Sequence, residues 1–117
     1  MDVSVRVSEL GPWAVARIDG DVDVATAPRV REQLINLLTD RGPFLVVDLD
    51  GVGFLDSTGL GVVVGVLKRA RSLGGDLRLV CTQPSVRRVF EITALDRTMP
   101  LAASAEEAVA ASDLAEG

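Results

Sequence analysis

Asp56-Ser57-Thr58-Gly59-Leu60-Gly61 is the segment of this chain whose residue types and spacing best suit chemistry. Two hydroxyls stand beside a carboxylate, between the apolar runs Phe44-Leu45-Val46-Val47-Asp48-Leu49 and Val62-Val63-Val64-Gly65-Val66-Leu67. That order reads as a buried strand, a loop and then a helix, with Ser57 and Thr58 where the helix begins. A hydroxyl at a helix start has two uses. It can cap the helix by accepting a backbone N–H, or it can accept a phosphoryl group, which adds about −1.5 to −2 charge at neutral pH. The local sequence leaves both open.

Other chemistries are short of parts. The chain has no histidine and no tyrosine, which removes imidazole metal sites, the commonest acid–base group and a Ser-His-Asp triad. Lys68 is the sole lysine. Any metal site would need carboxylates, and Asp48 and Asp50 read more simply as polar strand-end residues. Gly51-Val52-Gly53 is followed by Asp56 rather than by a third glycine, so the dinucleotide fingerprint is absent, as is a phosphate-binding P-loop. A receiver-type aspartyl phosphate at Asp48 or Asp50 lacks the acidic pair after the first strand and a strand-end lysine. No cofactor and no catalytic residue is expected, and the chain is not read as an enzyme.

The remaining bounds are set by size and charge. With 117 residues and 48% hydrophobic content, the chain suits a single domain over 1–117, ordered over about 3–111 with 112–117 a frayed tail. Aromatics are only 3%, so aliphatic side chains must build the core; Trp13 reads as part of it. The net charge of −5 argues against nucleic acid or acidic membranes as partners. Lys68, Arg69 and Arg71, and Arg87 and Arg88, read as solvated helix faces. The longest apolar stretch, Gly59 to Leu67, is too short for the roughly 20 residues of a membrane span. Cys81 is the only cysteine and reads as a buried filler. No secretory leader is visible, and a cytoplasmic location is expected.

The elements that must position the hydroxyls follow from periodicity. Val3, Val5 and Val7 alternate with polar residues, and Trp13 to Ile18 follows a turn at Glu9–Pro12, so a β-hairpin opens the chain. Asp19 to Asp23 reads as a polar loop. A helix starts near Thr26, with Pro28 in its first turn and Val30, Leu34, Leu37 and Leu38 on one face, and it stops at Arg41-Gly42-Pro43. A central strand over Phe44 to Leu49 precedes a second helix from Ser57 to Ser72, with Leu60, Val63, Val64 and Leu67 inward and Gly74-Gly75 after it. A strand over Leu77 to Cys81, a helix opened by Gln83-Pro84-Ser85, an edge strand at Met99–Leu101 and a last helix from Ser104 to about Ala111 complete the order. The alternation gives an α/β fold with a mostly parallel central sheet and four helices.

The run from Asp48 to Gly61, together with Ile18-Asp19-Gly20-Asp21-Val22-Asp23-Val24-Ala25-Thr26-Ala27-Pro28, resembles the STAS domain and most closely its anti-sigma factor antagonists. The resemblance spans about Val3 to Ala111. It implies a STAS-like fold and a partner-switching function: the unmodified antagonist binds an anti-sigma factor and so releases a sigma factor. That anti-sigma factor is also an ATP-dependent serine/threonine kinase, which phosphorylates the antagonist on the serine matching Ser57; a phosphatase reverses this. The resemblance assigns partner binding to Asp23, Asp56, Ser57, Thr58, Gly59 and Gly61, with Asp21 a neighbour. Thr58 stands where family members carry a second serine and is the secondary phosphorylation candidate. The competing reading is a STAS adaptor module in a transporter-associated or signalling complex, without phosphorylation.

Overall fold

The computed structural model describes the backbone of residues 2–116 and the side chains of residues 2–110. A hairpin of β1 (Ser4–Leu10) and β2 (Trp13–Val22) leads to α1 (Ala27–Arg41), β3 (Phe44–Leu55), α2 (Ser57–Ser72), β4 (Asp76–Val80) and α3 (Pro84–Ile92). A 3-10 turn at Leu95–Arg97, β5 (Leu101–Ala102) and α4 (Ala105–Glu116) follow. The five strands lie in sequence order, β1-β2-β3-β4-β5. Only the β1–β2 pair is antiparallel; β2 through β5 run parallel. The expected α/β architecture, with its opening hairpin and four helices, is present.

Strand alternation explains how the sheet is covered. Leu45, Val47 and Leu49 of β3 point into a core shared with Val30 and Leu34 of α1, Val63 and Leu67 of α2, and Val86 and Phe90 of α3. Val46, between two of them, points the other way and packs with Trp13, Val15, Val80 and Ala108 of α4. A parallel strand buried on both faces therefore reads as continuous apolar sequence. Trp13 is buried and meets Phe44 edge-on at 5.4 Å between ring centroids, with Arg78 over its face.

Two boundaries differ from the sequence reading in a way that matters for the site. Asp19–Val22 is not loop: β2 continues to Val22, and β3 continues past Leu49 to Leu55. The extensions pair in parallel, Asp19 with Gly51, Gly20 with Val52, Asp21 with Phe54 and Val22 with Leu55, with register shifts after Arg17 and Gly20. Asp and Gly are poor strand formers, which hid the extension. The glycines serve close approach: a Cβ on Gly51 would lie 2.7 Å from the Ile18 carbonyl and overlap the Asp19 side chain. Smaller shifts place β4 one residue earlier than expected and β5 at Leu101–Ala102. The last helix is assigned through Glu116 rather than Ala111; the expected fraying over 112–117 concerns side chains outside the described residues.

Candidate functional site

Three backbone features place Ser57. First, β3 ends at Leu55 paired with Val22, so the next residue leaves the sheet beside the end of β2. Second, the Asp56 N–H donates to the Val22 carbonyl at 3.2 Å, which anchors the turn to β2. Third, Asp56 caps α2: its backbone is extended, its Oδ1 accepts the Gly59 N–H at 2.9 Å, and its carbonyl accepts the Leu60 N–H at 2.9 Å. The local sequence left open whether a hydroxyl caps the helix or serves as a phosphoryl acceptor. The structure gives the cap to Asp56 and leaves Ser57 and Thr58, the first two helical residues, exposed.

The glycines of the motif have separate roles. Gly59 is buried, and a Cβ there would lie 2.7 Å from the Val22 carbonyl and 2.7 Å from Leu55 Cδ1. Only glycine lets the first turn of α2 sit this close to the ends of β2 and β3. Gly61 is the reverse: it faces solvent, and nothing lies within 4 Å of a Cβ placed on it. No contact inside the described chain requires glycine at 61.

Asp23 lies in the adjoining β2–α1 loop. Its Oδ1 accepts the Ala25 N–H at 2.9 Å and the Thr26 N–H at 3.1 Å, while its carbonyl accepts the Ala27 N–H at 2.8 Å. The Thr26 N–H, helped by that of Ala25 and by the Thr26 hydroxyl, holds the Asp23 carboxyl below its ordinary value against a smaller opposing effect of desolvation. Asp23 thus shapes its own loop through one carboxylate oxygen, Oδ1. Asp21, beside it in β2, pairs with Phe54 across the sheet. Among the described residues, Asp21, Asp23 and Asp56 take part in no ion pair. The end of β2 and the start of α2 therefore carry three carboxylates without an ion-pair partner among the described residues.

Thr26 is the residue the sequence reading passed over, taking it only as a helix start. It is 6% exposed and the one buried polar side chain among the described residues. Its hydroxyl donates to the Asp21 carbonyl at 2.7 Å and accepts the Asp23 N–H at 3.0 Å. The signal was an Asp followed three residues later by Thr, just before a helix with Pro in its first turn, which is a loop-closing pattern.

Asp48, Asp50 and Cys81 have structural settings of their own. Asp50 Oδ1 accepts from the Thr82 N–H at 2.6 Å and the Thr82 hydroxyl at 3.0 Å, and Gln83 Nε2 donates to its carbonyl at 3.1 Å. Asp48 Oδ1 accepts the Asp50 N–H at 2.9 Å. The Asp50 bonds tie the β4–α3 loop to β3, and no cluster with metal-ligand composition occurs among the described residues. Cys81 is fully buried, and burial pushes its thiol up to about 11. Among the described residues, no helix is long and apolar enough to cross a membrane.

The comparisons with known proteins fit this geometry. The STAS domain family matches residues 4–108. An anti-sigma-B factor antagonist of Bacillus subtilis is 36% identical over 109 residues, covering 93% of this chain and 99% of that one. The crystal structure of an anti-sigma factor antagonist from Mycobacterium paratuberculosis superimposes with a TM-score of 0.85 at 29% identity, over 94% of this chain and 93% of the other. The Bacillus cell fate determinant SpoIIAA in its phosphorylated form shares the fold, with a TM-score of 0.70 at 22% identity over 93% and 99% of the two chains. The chain belongs to the STAS domain family.

Proposed function

We propose that this chain is an anti-sigma factor antagonist switched by phosphorylation of Ser57. In this reading the unmodified chain binds, in the cytoplasm, an anti-sigma factor that is also a serine/threonine kinase, and so frees a sigma factor. The kinase then phosphorylates Ser57, the complex separates, and a phosphatase restores the binding form. The chain is the substrate and the switch, not the catalyst. The names carried by its relatives support this reading.

The observation that carries it is an exposed Ser57 on a rigidly placed helix start, next to carboxylates that form no ion pair among the described residues. Two effects act on a phosphate there. The α2 dipole and the free N–H groups of its first turn favour the charge by about 0.3–1 kcal/mol. Asp56 and Asp23 repel it, and desolvating a dianion against a partner costs several kcal/mol, roughly an order of magnitude more than the dipole gives. The modification therefore leaves the fold intact and removes the docking surface. Asp23, Asp56, Thr58, Gly59 and Gly61 supply or shape the rest of that surface, and Thr58 is the secondary phosphoacceptor.

The test has two parts. Incubation with the anti-sigma factor and ATP, followed by mass spectrometry, is expected to place the phosphate on Ser57 and to find Ser57→Ala unmodified. Calorimetry is expected to show Ser57→Ala binding and Ser57→Asp impaired. Full modification of Ser57→Ala, or equal affinities for the two variants, overturns the reading.

A further inference from the structure

The Thr26 hydroxyl sits at a junction between the acidic loop and the phosphoacceptor. It bonds the carbonyl of Asp21 and the N–H of Asp23, the residues on either side of Val22. The Val22 carbonyl in turn accepts the Asp56 N–H, and Asp56 caps the helix on which Ser57 is the first residue. Gly59 closes against the same Val22 carbonyl and its Cγ1. One buried hydroxyl thus fixes the peptide groups flanking Val22, and Val22 fixes the start of α2. Without it, the Asp21 carbonyl and the Asp23 N–H lose their shared partner at a register shift of the sheet, where strand pairing is already interrupted.

We propose that Thr26 is a positioning residue for phosphoryl transfer to Ser57 and for partner docking: through Val22 and Asp56 it holds Ser57 and the Asp23 carboxylate in one fixed relation. The inference rests on the proposed function for its kinase arm only; the clamp itself is a property of the free chain. Because both groups are presented together, loosening the clamp acts on recognition. The kinase meets a loop and a helix start that no longer arrive in register, so KM rises while the chemistry at a correctly bound hydroxyl, and hence kcat, is retained.

The experiment compares the full chain with Thr26→Val, Thr26→Ala and Thr26→Ser. In the free protein, NMR amide hydrogen exchange at Asp56 is expected to accelerate about tenfold in the valine and alanine variants and to stay near wild type in the serine variant. Amides of α3 are expected to be unaffected. Phosphorylation by the anti-sigma factor kinase is expected to show KM raised about tenfold for valine, with kcat within about twofold and recovery in serine. Thr93→Val is the control: its hydroxyl bonds the Val89 and Phe90 carbonyls at the end of α3, and its loss is expected to leave KM unchanged. Unchanged exchange at Asp56, acceleration spread evenly over the sheet, a fall in kcat without a rise in KM, or failure of serine to rescue overturns the proposal. If wild type is not phosphorylated at all, the functional reading falls, and the exchange data still decide the clamp.

Discussion

Alanine at Gly61 is expected to make this protein more stable and less able to dock. Gly61 sits inside α2 on its exposed side, and a Cβ there meets nothing within 4 Å. The substitution therefore carries no steric penalty in the free chain, and the helix gains the difference in propensity, about 0.5–1 kcal/mol. Unfolding entropy near 2.1 cal/mol/K per residue gives about 0.25 kcal/mol/K for 117 residues, so Tm should rise by about 2–4 °C. Against a closely packed partner the same methyl is an overpacking change of about 1–3 kcal/mol, or roughly five- to 150-fold in affinity. Gly59→Ala, two positions away, is the internal contrast. Its Cβ would meet the Val22 carbonyl at 2.7 Å, a backbone atom that has no rotamer to escape into, so it should lower stability by about 1–3 kcal/mol. Thermal melting by circular dichroism measures the stability terms, and calorimetry with the anti-sigma factor measures the docking term. A lower Tm for Gly61→Ala breaks the argument about the helix, and a higher Tm with unaltered affinity breaks the argument that the partner covers this side of α2.

Other expectations follow from single groups. Asp56→Ala removes the α2 cap and should cost about 1 kcal/mol, with Asp56→Ser keeping most of it; chemical denaturation measures both. Asp23 has a lowered folded-state pKa, so its contribution is present above the unfolded-state value and is lost as pH falls through the folded one. NMR titration of its carboxyl should therefore show it ionised below the ordinary aspartate range, and Thr26→Val should move it back up. Cys81, buried and pushed up to about 11, should resist alkylation at pH 8 in the native state and react readily once the chain is unfolded.

Much of the architecture was legible because hydrophobic periodicity and helix punctuation agreed. Val30 and Leu34 mark one face of α1, Pro28 its first turn, and the unbroken apolar run Phe44–Val47 a strand covered on both sides. The ends of β2 and β3 were not legible. Asp19-Gly20-Asp21 and Asp50-Gly51-Val52-Gly53 have turn composition, and their strand pairing depends on tight contacts between two segments thirty residues apart. Of the site, Ser57 at the start of α2 was readable from its position after an apolar strand. The division of labour was not: Asp56 caps the helix, Gly59 permits close packing and Gly61 faces out, although all three look alike as a motif. Thr26 was hidden because a hydroxyl before a helix suggests capping, whereas this one bonds backward to residues 21 and 23.

The central claim is that a dianion on the Ser57 oxygen decides docking. Its most direct measurement is a calorimetric titration of the anti-sigma factor with the chain phosphorylated stoichiometrically on Ser57, set beside the unmodified chain at the same salt concentration. The expected result is tight binding by the unmodified chain and a loss of at least about 100-fold on phosphorylation, the equivalent of about 3 kcal/mol, with both forms equally folded. Equal affinity of the two forms, each with Ser57 accessible and the fold intact, would contradict it.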